Sequence, residues 1–503
     1  MTKRMDAQAD DTPQRLAATW YNTTGAESPA RPRLTFDLDV EVCVIGGGLA
    51  GLTVAREVAR RGWSVAVLEA DRIANAATGR SSGLVMPGYA EDIDTMIERI
   101  GLDHAKELWA LSKNGVDYVR DTISEAGMSD VLLGEGWLQV SKTDNWRDLR
   151  TKAERLRWLG AEVEAWPVER VREQLVTERY FGALHHTRGF HINPLNYAYG
   201  LASAAEQAGA RIFEETPAIE LDPAGVRKRV QTPSAKVRAA HVVLAANVQL
   251  GNLMPRLGGT VMPLTTYVMV SEPIENLADA VRYKGAVSED SRVGAQLRIV
   301  ERNRLQISGG VTAWPARPQL FARLLRRKVH RLFPQLGPVS AAYLWSGTLG
   351  RTLHHMPQIG EVHPGVWISS GFGAHGINTS AIAGQLIGRG IVEADDTWRL
   401  FAPYELVWAG GKAFRAVAQA VYLGVRPLAG MRAAWSRRRE RSRRRSDQRA
   451  QTRREKLAAA TTGSNVQPAP EIKALRQRGK GEAAAAMLAT PAPVEKKAER
   501  KKS

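Results

Sequence analysis

VCVIGGGLAGLTVAREVARRGWSVAVLEAD, running from Val42 to Asp71, decides the fold. It opens on an apolar run, turns through glycines into a stretch with helical spacing, and returns to an apolar run at Val65. That succession predicts a βαβ unit, and with it a parallel sheet covered by helices. Gly46, Gly48 and Gly51 spell GxGxxG between the strand and the helix. Gly46 permits the tight turn, Gly48 lets backbone amides approach a pyrophosphate, and Gly51 lets the helix pack against the strand. The phosphates would then face the positive end of the helix dipole. Glu69 stands at the end of the second strand. A carboxylate there accepts hydrogen bonds from ribose hydroxyls and repels a 2′-phosphate, which disfavours NADP.

A second GxGxxG, at Gly371, Gly373 and Gly376, also lies between a strand and a helix. The acids that follow it, Asp395 and Asp396, have no second strand before them, so no further nicotinamide site is expected. This helix N-terminus instead suits a different electron-rich group.

Outside these motifs, the 503 residues are 44% hydrophobic, enough for a large core. The formal charge of +18 is localised: residues 436–503 carry 20 Lys and Arg against 7 Asp and Glu. That tail has no Phe, Trp or Tyr, so it cannot bury enough apolar area to offset its ordering entropy and is expected to be disordered. Without interleaved aromatics, any contact of the tail with nucleic acid or an anionic surface would be non-specific and salt-sensitive. The single cysteine, Cys43, excludes an intrachain disulfide. The first residues form no apolar signal region and no long apolar window follows, so a soluble, cytoplasmic protein is expected. Residues 1–37, with Pro13, Pro29 and Pro32, read as an arm leading into the first strand. His185–His186 and His354–His355 are adjacent pairs, which on strands point to opposite faces, so no metal site is expected.

Taken in order, the first βαβ unit, ATGRSSG (Ala77 to Gly83), YFGALHHTRGFHINPLN (Tyr180 to Asn196) and MPQIG…SSGFGAHG (Met356 to Gly376) resemble the D-amino-acid oxidase superfamily of FAD-dependent oxidoreductases. Within it they are similar to the γ-glutamylputrescine oxidase branch. The resemblance spans roughly residues 20–430. It implies an α/β chain: a Rossmann-type FAD-binding domain with an interleaved α+β substrate domain built on a mixed sheet. The FAD part would comprise residues 38–98, 192–262 and 345–400, and the substrate part 99–191 and 263–344. A helical segment at 401–435 and the basic tail at 436–503 would follow.

The resemblance also implies roles for individual residues. Gly46, Gly48, Gly51 and Glu69 would hold the ADP half of FAD. Arg80, Ser81, Ser82 and Gly83 match the loop beneath the pyrophosphate and isoalloxazine, with serines where the family pattern GRNGG has Asn and Gly. Ala245 and Ala246 match the strand end that closes over the dinucleotide. Gly371, Phe372, Gly373, Gly376 and Ile377 match the loop and helix beside the flavin. Cys43 lies in the first strand, away from the last motif, so the FAD is expected to be non-covalent. His375 is either an acceptor of the ammonium proton near neutral pH or a hydrogen-bonding neighbour of the flavin. His191 lies in the segment at the edge of the substrate sheet and is a candidate to touch substrate. Arg351 is either a bidentate partner for a substrate carboxylate or a surface charge. Arg298 matches an arginine of the branch or pairs with a sheet neighbour.

The implied reaction is oxidation of an amine or amino-acid C–N bond by hydride transfer to flavin N5, giving an imine that hydrolyses. No lysine occurs between Lys284 and Lys328, where related enzymes place one over the flavin, so the acceptor is open between oxygen and a quinone. The apolar, basic stretch from Leu406 to Trp435 supports an alternative, a membrane-associated flavin dehydrogenase passing electrons to a quinone. Gly424 and Pro427 would interrupt any long helix there, which favours a closing segment packed on the FAD domain. An arginine-rich tail on a nucleic-acid-associated flavoprotein is a further alternative.

Overall fold

The computed structural model describes residues 18–251, 253–290 and 294–462. Strand Leu38–Ile45, helix Leu49–Arg60 and strand Val65–Leu68 form the expected βαβ unit. The two strands pair in parallel, Val42 with Val65 and Ile45 with Leu68. Alternation buries both faces of the first strand: Val42 and Val44 pack with the covering helices, Cys43 and Ile45 with the opposite layer.

That pair lies at the centre of an eight-stranded sheet. Its order is Gln358–His363, Val366–Ser370, Lys236–Leu244, Leu38–Ile45, Val65–Leu68, Arg211–Phe213, with the short strands Lys228–Gln231 and Glu220–Asp222 added beside the third. A second sheet of nine strands runs Ala341–Arg351, Met262–Ser271, Arg304–Thr312, Gln296–Val300, Ala286–Glu289, Leu132–Ser141, Gly182–Ile192, Leu84–Val85, with Val163–Pro167 paired to Gly182–Ile192. Its pairings are antiparallel except for Ala286–Glu289 with Leu132–Ser141, so it is mixed. The chain crosses between the two sheets repeatedly.

Two segments differ from the sequence reading. Residues 18–37 do more than lead into the first strand: Thr19 and Asn22 form a capping box for the short helix Trp20–Thr24, and Trp20 and Tyr21 are buried. At the other end, one helix runs from Gly411 to Thr462, through Gly424 and Pro427 and past residue 436, where disorder was expected. A proline removes one donor at about 3 kcal/mol, and here docked turns at Ala418 and at Ala433 flank it on either side. Beyond Trp435 the sequence is rich in Arg, Glu, Gln and Ala, which propagate an already nucleated helix without burying a core. The described residues fall into two units that part between Arg441 and Ser442, the second a helix as far as Thr462. The expectation for 463–503 falls outside the described residues.

Among the described residues no helix is long and apolar enough to cross a membrane.

Candidate active site

A cavity of about 1150 Å³ lies where the two sheets meet. Its first wall is the glycine turn. Gly46 and Gly48 line it, and Gly48 is the N-cap of helix Leu49–Arg60, extended at φ −84° and without a side-chain cap. Glu69 lines the same end and ties the turn together: Oε2 accepts from Gly47 N at 2.6 Å and Oε1 from Asp71 N at 3.0 Å. Burial pushes its carboxyl above the usual glutamate value, and the backbone N–H donors pull the other way. Ala245 and Ala246, at the end of strand Lys236–Leu244, complete this wall. Gly51 lies outside the cavity, where a Cβ would collide with the Gly46 carbonyl.

The second wall is the loop Arg80–Gly83, all four residues of which line the cavity. It is held from behind. Trp345 Nε1 donates to Arg80 O (3.1 Å), the Tyr21 hydroxyl to Ser81 O (2.9 Å), and Gln306 Nε2 to Ser82 O (3.2 Å). Ser82 Oγ donates to Gln296 Oε1. Gly83 has φ +76°, and a Cβ there would meet the Ile192 carbonyl and, at 2.7 Å, the Arg298 guanidinium. Arg298 is 1% exposed. It donates to Ile192 O (2.6 Å), Tyr21 Oη (2.6 Å) and Gln306 Oε1 (3.1 Å), and lies 3.3 Å from His191 Nδ1. Desolvation holds its pKa below the usual arginine value.

The third wall comes from the second GxGxxG. Phe372, Gly373, His375, Gly376 and Ile377 line the cavity at the start of helix Gly376–Val392. Gly371 does not line it; at φ +73° it turns the chain beside Thr352. Arg351 lines the cavity and bridges to Phe372. The floor is the face of the second sheet, with Trp137, Gln139, Gln296, Ser308 and Thr266. Sequence reasoning missed these residues. Alternation in GWLQVS puts Trp137 and Gln139 on one face, opposite the buried Leu138 and Val140, but which face looks onto a site depends on the layer packed above it.

His191 is not among the lining residues. It is fully buried, with Nε2 3.1 Å from Lys284 O and Nδ1 facing Arg298, which corrects its candidacy as a substrate contact. His375 is half-buried on the wall, edge-on to Trp137 at 6.3 Å, and hydrogen-bonds the Met86 carbonyl. Desolvation pushes its pKa down to about 4. A value in that range favours the neutral imidazole at neutral pH.

These walls fit FAD: an uncapped helix start and glycine turn for the pyrophosphate, a carboxylate at the second strand's end for ribose, and a cavity reaching from there to the sheet floor. The family described as FAD dependent oxidoreductase matches residues 41–389. The chain belongs to this family. Gamma-glutamylputrescine oxidoreductase of Escherichia coli (strain K12) is 32% identical to this FAD-dependent oxidoreductase over 395 residues, 76% of the chain and 91% of that protein. Glycine oxidase of Geobacillus kaustophilus (strain HTA426) is 25% identical over 400 residues, 74% of the chain and 98% of that protein. The crystal structure of glycine oxidase from Geobacillus kaustophilus shares the fold, with a TM-score of 0.63 at 21% identity, covering 74% of this chain and 99% of that one. FAD is the oxidoreductase's cofactor.

Buried histidines give the enzyme an acid-sensitive stability. Desolvation lowers His186 and His191 to about 3 and His354 to about 4. An unfolded histidine titrates near pH 6.5, so from there down to the folded values the unfolded state binds more protons. Stability then falls as pH falls, by about 1.4 kcal/mol per pH unit for each histidine. The melting temperature should drop steadily from pH 6.5 towards 4; a flat profile would show these imidazoles charging without cost.

Proposed function

We propose that this oxidoreductase oxidises the C–N bond of an amine or amino acid, giving an imine that water hydrolyses to a carbonyl compound and ammonia or a smaller amine. The observation that carries this reading is a single cavity in which the two glycine loops face a polar sheet floor (Gln139, Gln296, Ser308). The substrate, in this reading, lies against that floor. In this reading residues 38–98, 192–262 and 345–400 hold the cofactor, and 99–191 with 263–344 hold the substrate. The relatives named as an oxidoreductase of gamma-glutamylputrescine and as a glycine oxidase support a nitrogen-bearing substrate.

When bound, FAD supplies the acceptor for the hydride leaving the carbon next to nitrogen. The protein's own groups orient the substrate and exclude water. Arg351 offers a planar guanidinium to a substrate carboxylate. His375, neutral, hydrogen-bonds without taking the ammonium proton. His375→Gln should therefore leave the pH profile of anaerobic flavin reduction above about pH 6 in place and slow the step by less than about tenfold, below the range of a lost general base. Loss of a neutral-pH limb would restore it as the base.

Cys43 is fully buried in strand Leu38–Ile45 and its thiol is pushed up to about 12 by burial, so it is no nucleophile towards the flavin. Acid precipitation should release the FAD into the supernatant; yellow colour kept in the pellet would demonstrate a covalent bond. The function itself is tested by anaerobic flavin bleaching against panels of amines, amino acids and 2-hydroxy acids. Bleaching by hydroxy acids alone would overturn C–N oxidation. Peroxide formation against reduction of a soluble quinone then assigns the acceptor.

A further inference from the structure

The helix that begins at Gly411 has two apolar faces, and the protein covers one of them. Successive helical residues turn by about 100°, so Val417, Val421, Met431 and Trp435 fall in a single stripe. They are between 54% and 67% exposed. The opposite face is docked at both ends of the stripe. Ala418 packs on the cluster of Leu264, Ala313 and Ala409, and Gln419 Oε1 accepts from Ala313 N at 2.7 Å. Ala433 and Ser436 are buried, and Glu440 pairs with Arg172 at 2.6 Å. These anchors fix the helix so that the stripe cannot turn inward.

Charge follows the stripe directly. Arg437, Arg438, Arg439 and Arg441 come next in the sequence, Arg441 within 3.5 Å of Glu178. The Arg439 guanidinium lies over the Trp435 ring at 5.4 Å, joining the apolar stripe to the basic run.

We propose that this helix is a docking surface for an anionic lipid bilayer, the stripe entering the headgroup boundary and the arginines pairing with lipid phosphates. An amphipathic helix that lies in the interface combines such an apolar face with neighbouring cations, and a cluster of four to eight of them selects anionic lipid. Nucleic acid would engage the arginines but leave the stripe in water. The proposal is independent of the substrate assigned above.

The test uses the full-length, FAD-loaded protein in flotation with vesicles of phosphatidylcholine alone or mixed with phosphatidylglycerol, at low and high salt. Wild type should float with the mixed vesicles and not with phosphatidylcholine alone. The double variant Val421→Asp, Trp435→Asp should bind about tenfold less or weaker still, with FAD content and elution volume unchanged. If that pair does not fold, Val417→Ser with Met431→Gln should give a smaller loss in the same direction. Undiminished binding by the folded variants would show that the arginines act alone and would overturn the proposal. So would failure of wild type to float, or a wild-type dimer that the variants convert to a monomer, since the stripe would then join two copies.

Discussion

Gly48→Val should yield a folded protein that purifies without flavin, whereas Gly51→Val should yield little soluble protein. The two glycines are three residues apart in one motif, but they meet different things. Gly48 is extended, and a Cβ there would approach only Thr78 Oγ1, at 3.2 Å, so the chain itself tolerates a side chain. That side chain would stand on the cavity wall, where the turn's amides would face the pyrophosphate. A Cβ at Gly51 would collide with the Gly46 carbonyl and touch Val44 Cγ1 at 3.1 Å, forcing the helix off its strand. FAD retention in Gly48→Val should fall at least about a hundredfold, some 2.8 kcal/mol, with the far-ultraviolet circular dichroism unchanged. Stoichiometric FAD in the purified Gly48→Val protein would show that the pyrophosphate lies elsewhere.

Arg298→Met should cost about 3–5 kcal/mol of stability and loosen the cofactor loop. Arg298 is a buried cation whose hydrogen-bond partners are all neutral: a carbonyl, a hydroxyl, an amide oxygen and an imidazole. Methionine fills much of the volume but removes the donor to Ile192 O and leaves Gln306 Oε1 only the Tyr21 hydroxyl, at 3.2 Å. Tyr21 and Gln306, which hold Ser81 and Ser82, lose their common anchor. The melting temperature should fall by roughly 3–5 °C, and excess FAD should restore part of it by mass action. Arg298→Lys should recover little, since one ammonium cannot reach acceptors arranged for a fork. A more stable methionine variant would mean that desolvating the cation outweighs the bonds it makes.

The fold class was legible because its deciding signal is local. Period, glycines and terminal carboxylate all fall within Val42 to Asp71, and the parallel centre of the first sheet follows from them, though not its antiparallel outer pairs. The loop at Arg80 stood out through resemblance alone, whereas the loop at Phe372 was marked by its own glycines at a helix start. The cavity floor was hidden because a strand's alternation gives two faces without saying which is covered. His191 shows the same limit: it lies on the expected strand, and its side chain meets Arg298 instead of the cavity. The short helix within the arm was not anticipated because its capping box carries Asn22 where the usual signature has Glu or Gln. The helix at 436–462 was not legible because it buries no core of its own: helix propensity needs only a nucleus to extend.

Tyr21 also sets an order of assembly. Its hydroxyl meets Arg298 and Gln306, 277 and 285 residues later in the chain, and Trp20 Nε1 donates to Glu301 at a separation of 281. Contacts of such sequence separation form late, because the loop they close must be ordered first. At about 5–20 residues per second of synthesis, the arm emerges roughly tens of seconds before the strands it docks against. During that interval the first βαβ unit can fold, but the loop at Ser81 and Ser82 lacks the partners that fix it. Tight cofactor capture is thus deferred until translation has passed the second sheet, and a nascent chain stalled before residue 298 should remain colourless.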